Sequence, residues 1–398
     1  MGLFMGKDAD IARLAEKDSR PFIPYGRQQV GEDDIQAVVE VLHSDWLTTG
    51  PMVGRFEEAV AAYAGARYGV AVSSGTAALH AALHAIGIGP GDEVIVPALT
   101  FVATANCVVY QGGTPVFADV DPAALLIDPE EVRQRITPQT RAIIAVDYAG
   151  QPCDYDRLRK IADEHNLYLV ADSCHSIGAE YRGRRVAEIA DLTVFSFHPV
   201  KHITTGEGGM VVTNKAELAE KMKRFRNHGI STDHRQRETL GTWYYEMTEL
   251  GFNYRISDIA CALGLSQLEK LPAWLARRRG IAALYSTALK NFSGVQPLRV
   301  TDEVLHAYHL YVVRFAEQID RAAVFQQMRA ANIGVNVHYL PIHLHPYYRQ
   351  RFSQGAVQLP VAEAAYAQIL SLPMYADLTN DDVMRVVSTL RQAVAGSC

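Results

Sequence analysis

The sequence predicts an α/β protein: a mostly parallel central sheet covered by helices on both faces, followed by a smaller α+β segment. Three observations carry that expectation. Between about residues 55 and 265, short β-rich runs alternate with helical stretches. The runs are apolar almost throughout rather than at every second position, as in strands buried on both faces. From about residue 266 the rhythm changes to longer helices with a few separate strands.

The elements follow in order. YGVAVSSGT runs from strand to turn, and TAALHAALHAIG continues as a helix closed by glycine. GDEVIVPALT is a strand, FVATANCVVYQG a helix and TPVFADVD a strand. RAIIAVDYAG is a strand, DYDRLRKIADEHN an amphipathic helix and LYLVADSCHS a strand. DLTVFSFH and GGMVVTN complete the sheet. Beyond them, LSQLEKLPAWLARRRGIAALYSTALKNF predicts a long helix broken or bent near Pro272. AYHLYVVRF predicts a strand, RAAVFQQMRAANIGVNVHYLPIH a helix leading into a strand, and NDDVMRVVSTLRQAVAG a terminal helix. The expected organisation is a lead-in over 1–20, a large domain over 21–265 that begins with an arm, and a small C-terminal domain over 266–398. The arm over 21–50 would pack on the small domain or reach a partner subunit.

Composition narrows the function classes. Of 398 residues, 48% are hydrophobic and 21% charged, which suits a globular chain long enough for two cores. The formal net charge of −6 is spread along the chain and forms no basic stripe, which argues against a nucleic-acid partner. No run of about 18 apolar residues suggests a membrane span, and the N-terminal stretch lacks the apolar centre of a secretory signal. Cys107, Cys153, Cys174, Cys261 and Cys398 show no CxxC spacing. An odd count in a chain of this size fits free thiols in a reducing cytoplasm, with no zinc site.

On a parallel sheet, ligands gather beyond the carboxyl ends of the strands, so the residues just after each strand carry the functional signal. Gly75 and Thr76 follow a strand and open a helix, where free amides and the helix dipole favour a phosphate. The same pattern is also an ordinary capped turn. Asp172 ends an apolar strand, where it is either a helix-capping aspartate or a buried carboxylate that needs a cationic partner such as a protonated ring nitrogen. His175 follows three residues on and could face the same ligand or sit hydrogen-bonded in the core. Ser196 ends another strand, and Lys201 comes five residues later in a loop before the turn ITTGEGG. An amine there, with its pKa lowered by burial, could form a Schiff base. Asn253, Tyr254 and Arg255 precede a helix whose start suits Ser257 and Asp258. A phosphate turn, a strand-end aspartate, and a strand-end serine with a lysine after it make the set that a pyridoxal phosphate enzyme needs.

These residues resemble those of the fold type I aminotransferases, and in particular the DegT/DnrJ/StrS family of nucleotide-sugar aminotransferases. SGTAAL, TFVATAN, SFHPVKHITTGEGG and GFNYRISDIACALGLSQL carry the resemblance, which covers most of the chain. SDWLTTGP, YAGQPCDYD, WYYEM and GVNVHYLPIHLHPYYR are similar to the branch serving pseudaminic acid synthesis. Members of that branch use L-glutamate to aminate a UDP-linked 4-keto-6-deoxy-N-acetyl-altrosamine. The resemblance implies that Lys201 holds pyridoxal 5'-phosphate and moves the proton, and that Asp172 pairs with the pyridine nitrogen. It places Gly75, Thr76 and Ser196 at the phosphate and Phe101 on the ring. His175 stands near the cofactor's 3-oxygen, where many members have glutamine. Asn253 would reach a phosphate in the neighbouring subunit's site, which implies a homodimer with shared sites. Tyr25, Trp46, His338 and Tyr339 are candidates for the sugar-nucleotide pocket. Two other readings are a regulator that binds a sugar nucleotide without turnover, and a 3-dehydratase. Lys201, Asp172 and the phosphate residues together argue against the regulator. Dehydratases of this kind carry histidine in place of the lysine, whereas SFHPVK puts lysine at the fifth position after Ser196.

Overall fold

In the computed structural model, described for residues 20–232, 234–352 and 358–397, a seven-stranded sheet forms the centre. The lead-in expected over 1–20 lies, apart from Arg20, outside these residues. The strands are β1 (Tyr68–Val72), β2 (Glu93–Pro97), β3 (Thr114–Ala118), β4 (Thr140–Val146), β5 (Tyr168–Asp172), β6 (Glu180–Tyr181), β7 (Arg184–Arg185), β8 (Leu192–Ser196) and β9 (Gly209–Thr213). Of these, β6 and β7 lie outside the central sheet, whose order is β1-β9-β8-β5-β4-β2-β3. Only β9 runs against its neighbours, β1 and β8. The other six strands therefore point the same way, and their carboxyl ends share one edge. All the expected strands of this sheet form.

Helices α1 (Glu32–Leu42), α2 (Pro51–Ala64), α3 (Gly75–Ala85), α4 (Ala103–Tyr110), α5 (Tyr155–Glu164), α6 (Ala216–Phe225) and α7 (Asp258–Leu289) surround the sheet. The helix expected to be broken or bent near Pro272 is not broken: it runs as 32 continuous residues, with Pro272 inside it. A proline in this position removes one backbone donor. Flanking side chains compensate, because Leu268, Leu271 and Leu275 are all buried on one face. The first half of α7 packs with Phe56, Val60 and Phe197. The second half, from Ile281 to Leu289, packs with Val313, Phe315 and Leu390. A single rod thus crosses the expected 265/266 division.

The C-terminal part holds a three-stranded sheet of β10 (Val295–Pro297), β12 (Tyr311–Phe315) and β13 (Ile369–Leu372), while β11 (Val304–Leu305) pairs with β6. Helices α8 (Arg321–Ala330) and α9 (Asn380–Ala395) cover that sheet. The strand expected after α8 does not form. Its place is taken by single bridges from Ile333 to Ile23 of the N-terminal arm and from Asn336 to Ser371 of β13. The arm packs here: the Met374 amide donates to the Tyr25 carbonyl at 2.9 Å. Cys107, Cys153, Cys174 and Cys261 are free thiols. No helix among the described residues is long and apolar enough to cross a membrane.

One carboxylate fastens two helix starts. Ser257 caps α7 by accepting from the Ala260 amide, as its residue type suggests. Asp258 does something else: its buried carboxylate accepts from the amides of Gly50 at 2.7 Å and Met52 at 2.8 Å, at the start of α2. Truncation would strand two amides away from water. Asp258→Ala is expected to lower unfolding stability by about 2–3 kcal/mol. The check is a shift of the denaturant midpoint at constant slope; a midpoint within error of the parent would refute the role.

Candidate active site

The shared edge of the six parallel strands opens into a cleft of about 480 Å³. After β1 come Ser74, Gly75 and Thr76; after β2, Thr100 and Phe101; after β5, Cys174 and His175; after β8, His198 and Lys201. Because β9 runs backwards, its starting end brings Glu207 to the same edge. The C-terminal part adds His309 and the segment Asn336–Tyr339, and the arm adds Tyr25. Ten of the twelve residues singled out from the sequence line this one cleft. Trp46 and Asn253 do not.

At the base of the cleft, two strand turns meet closely. Helix α3 begins at Gly75, capped by the Ser74 hydroxyl, which accepts from the Ala77 amide at 3.1 Å. The amides at the first positions of a helix have no partner within it. A Cβ on Gly75 would sit 2.9 Å from the Ser196 Cβ and 3.3 Å from the Cys174 sulfur. A Cβ on Gly209 would meet the Ser74 carbonyl at 2.3 Å. Gly209 lets backbone approach backbone and Gly75 leaves room for the Ser196 and Cys174 side chains, so that the Ser196 hydroxyl and the α3 amides face one small space.

Asp172 is 6% exposed. Its Oδ2 accepts from the Thr104 hydroxyl at 2.8 Å, and Thr104 in turn pairs with Thr100 at 2.9 Å. Lys201 is half-buried in the same cleft. Burial pushes its ammonium below the ordinary lysine value, and the nearby Asp172 carboxylate only partly opposes this. The geometry therefore presents an amine of lowered basicity next to a buried carboxylate.

His175 shares its Nε2 with the Tyr339 hydroxyl at 3.1 Å and lies tilted against His309, with ring centroids 4.3 Å apart. Its Nδ1 is buried with no hydrogen-bond partner. Burial, and then the charge of Lys201, hold its pKa well below the usual histidine value, so the ring is neutral. His338 binds the Ser371 hydroxyl through Nδ1 at 2.8 Å, and Tyr25 lies against its ring at 5.7 Å. Phe101 stands at the mouth, 54% exposed, with Tyr339 at 5.9 Å.

The loop carrying Asp172 and His175 is held from behind by Asp147, at the end of β4. Its carboxylate accepts from the hydroxyls of Ser173 at 2.7 Å, Ser176 at 2.6 Å and Tyr155 at 2.8 Å, and from the Cys153 amide at 3.1 Å. Burial still pushes its pKa up to about 6. The sequence reading passed over Asp147, Thr104 and His309. Thr104 lies in TFVATAN with no local sign that it would face Asp172. His309 sits in an apolar run that carries no polar signal, and only the chain's return across the sheet brings it here. Asn253 is exposed and bridges to Asn227. Trp46 lies over Gly50.

The set fits a phosphate-bearing aromatic aldehyde: helix amides and a serine hydroxyl at one end, a buried carboxylate for a ring cation, and an amine between them. Among the described residues there is no cluster that could hold a metal ion.

Residues 28–391 match the DegT/DnrJ/EryC1/StrS aminotransferase family. The spore coat polysaccharide biosynthesis protein SpsC of Bacillus subtilis strain 168 is 41% identical over 381 residues, spanning 94% of this chain and 98% of SpsC. Among solved structures, Spr1654 of Streptococcus pneumoniae in its PMP form superposes with a TM-score of 0.90 at 32% identity, covering 94% of this chain and 100% of the other. Its PLP form gives 0.89 at 31% identity, covering 95% and 100%. PseC of Helicobacter pylori, an aminotransferase involved in pseudaminic acid biosynthesis, gives 0.88 at 33% identity over 94% of this chain and 100% of PseC.

The lowered basicity of Lys201 has a direct readout. In cofactor-free protein, acylation of Lys201 by a small amine-reactive ester should reach half its limiting rate at a pH below 10.5, the ordinary lysine value. The sign follows from burial, which disfavours the ammonium. Peptide mass spectrometry with surface lysines as internal reference measures it, and a midpoint at or above that of the surface lysines contradicts the reading.

Proposed function

This chain belongs to the DegT/DnrJ/EryC1/StrS aminotransferase family, fold type I sugar aminotransferases that depend on pyridoxal phosphate, and on that footing we propose a reaction for it. The amino group of L-glutamate is moved to the 4-keto carbon of a UDP-linked 4-keto-6-deoxy-N-acetylhexosamine. The product is UDP-4-amino-4,6-dideoxy-N-acetyl-β-L-altrosamine, a precursor of pseudaminic acid or a related surface glycan. The observation that carries the transamination is the half-buried Lys201 amine in one cleft with Asp172, Ser196 and the start of α3. The sugar choice is supported by the similarity to PseC, an aminotransferase involved in pseudaminic acid biosynthesis.

Bound pyridoxal phosphate supplies an electron sink for the carbon that loses its proton. The chain's own residues do the rest. Gly75 and Thr76 amides and the Ser196 hydroxyl would hold the phosphate, aided by the positive end of α3. Asp172, kept in place by Thr104, would pair with the ring nitrogen and keep it protonated. Phe101 would cover the ring at the mouth. Lys201 Nζ would anchor the cofactor and, once displaced by glutamate, take the proton from the donor's α-carbon. A neutral amine is needed for that step, and burial favours it. His175, neutral and with Nδ1 free of protein partners, would face the cofactor's 3-oxygen. Tyr25, His338 and Tyr339 line the side where the sugar nucleotide would enter.

Asn253 and Trp46 lie off the cleft of their own chain, so a role for them requires a second copy. The proposed assembly is a homodimer with shared sites, Asn253 reaching the partner's phosphate. Trp243, Tyr245, Met247 and Leu250 form an exposed apolar stretch just before Asn253, with Trp243 85% exposed. Burying such a stretch in a dimer removes it from water.

Lys201→Ala is expected to abolish turnover, because proton transfer by one positioned base contributes about 10²–10⁴-fold and the anchor is lost as well. Release of 2-oxoglutarate from glutamate measures this, and retention of more than about 5% of turnover would sink the assignment. Product identification with a panel of UDP- and dTDP-linked ketosugars decides the substrate; amination of dTDP sugars alone would replace the UDP proposal. Mixing Lys201→Ala with Asn253→Ala protomers should restore activity that neither variant has alone. No recovery after subunit exchange would count against shared sites.

A further inference from the structure

Lys201, which lines the main cleft, also borders a second and much smaller pocket of about 10 Å³. Gln29, Lys201, His202 and Arg278 are among the residues that line it. Three of them present a fully buried polar atom with no protein partner: Gln29 Oε1, His202 Nδ1 and Arg278 Nε. His202 is 4% and Arg278 2% exposed. Three such atoms beside one pocket ask for a ligand, since buried polar groups are nearly always bonded.

The hydrogen-bonding character of each atom can be derived. His202 Nε2 lies 3.0 Å from the Ala307 carbonyl, which can only accept, so Nε2 carries the proton. Burial, and then the charge of Arg278, hold the His202 pKa well below the usual value, so the ring is neutral and Nδ1 offers a lone pair. Gln29 Oε1 is an acceptor. Arg278 Nε–H is a donor, and its guanidinium stays charged: burial lowers its pKa only to about 10. Its Nη1 is spent on the carbonyls of Tyr308 and Met374, both at 3.1 Å. The pocket thus needs a ligand that donates twice and accepts once. A halide accepts only and would face two lone pairs. An ammonium donates only and would face Arg278.

We propose that this pocket is a built site for one water molecule, which donates to Gln29 Oε1 and His202 Nδ1, accepts from Arg278 Nε, and makes His202 a positioning residue for Lys201. The volume suits a single water, for which roughly 10–15 Å³ is required. The three partners come from different parts of the chain: Gln29 from the arm, His202 from the lysine loop and Arg278 from α7. Direct bonds already join the same parts, with Gln267 Nε2 donating to the Gln29 carbonyl at 2.7 Å and the Thr204 amide donating to Gln267 Oε1 at 3.1 Å. The water completes that wall at the residue next to Lys201 and so restrains the direction of its amine. The water itself does not depend on the proposed reaction; its effect on turnover rests on Lys201 being the reacting amine.

The test has two arms. A crystal structure of the holoenzyme at high resolution should show one ordered water within about 3.2 Å of all three atoms. A site without density, or with an ion's density there, overturns the water. The second arm separates the two nitrogens of His202. His202→Gln can keep the donor to Ala307 but loses the acceptor at Nδ1, whereas His202→Asn can keep an acceptor near Nδ1 and loses the bond to Ala307. Gln should lower kcat about fivefold with the glutamate KM unchanged, and Asn should stay within about twofold of the parent. Asn impaired as much as Gln, or more, overturns the positioning role. Inactivity of the parent toward every ketosugar would count against the proposed reaction alone and leave the water to the crystallographic arm.

Discussion

The alignment of six strands in one direction is the constraint on which everything else in this molecule rests. A strand-end residue is useful only if other strand ends lie beside it. Because β1, β2, β4, β5 and β8 all point to one edge, Gly75, Phe101, Asp147, Asp172 and Ser196 arrive there from positions far apart in the chain. The single reversed strand, β9, contributes in the opposite sense: its start, not its end, reaches the edge. Gly209 there allows the Ser74 carbonyl to sit against it, which brings the α3 amides and the Ser196 hydroxyl into one space. Reverse β1 or β5 and the start of α3 and the Asp172 carboxylate would part.

The second requirement is that charged groups at this edge survive burial. Asp172 does so with a hydroxyl from Thr104, and Asp147 with four donors that also brace the loop between them. Lys201 meets the same environment with the opposite response, since burial weakens its hold on a proton. The histidines around it respond likewise: burial keeps His175, His202, His309 and His338 neutral. A neutral ring presents one donor and one acceptor in fixed places, which is how the positions of Tyr339 and Ala307 come to dictate which nitrogen each ring leaves open.

The C-terminal part is tied to this edge more tightly than its separate core implies. Arg278, on the helix shared by both parts, donates to carbonyls at Tyr308 and Met374. Tyr308 precedes His309 in the cleft, and Met374 is bonded to Tyr25, also in the cleft. One buried guanidinium therefore sets the height of two cleft walls. The Tyr148 hydroxyl, at the end of β4, donates to the His338 carbonyl and secures a third.

The strands, their mostly parallel arrangement and the lysine, aspartate and phosphate-turn residues were legible along the chain, because each depends on neighbours within a few positions. A continuous apolar run announces a buried strand, and Gly-Thr after it announces a helix start. Gly75, Thr76, Asp172, His175, Ser196 and Lys201, read from the strand ends, do meet in one cleft, as do Tyr25, Phe101, His338 and Tyr339, which only the family resemblance pointed to. Pro272 does not break its helix, since a proline's local cost says nothing of the flanking leucines, which are buried in one core. Asp258 looked like a cap for its own helix, yet its carboxylate serves the start of α2, 206 and 208 residues away in sequence. His309, Asp147 and Arg278 gave no local sign at all. Their roles arise from pairings across the fold, and the sequence of any one segment contains no information about which distant carbonyl or hydroxyl will face it. The sequence alone determined the strands, the strand ends and the chemistry they could offer; tertiary packing decided which of those groups are desolvated together, and desolvation is what separates a reactive amine from a solvated lysine.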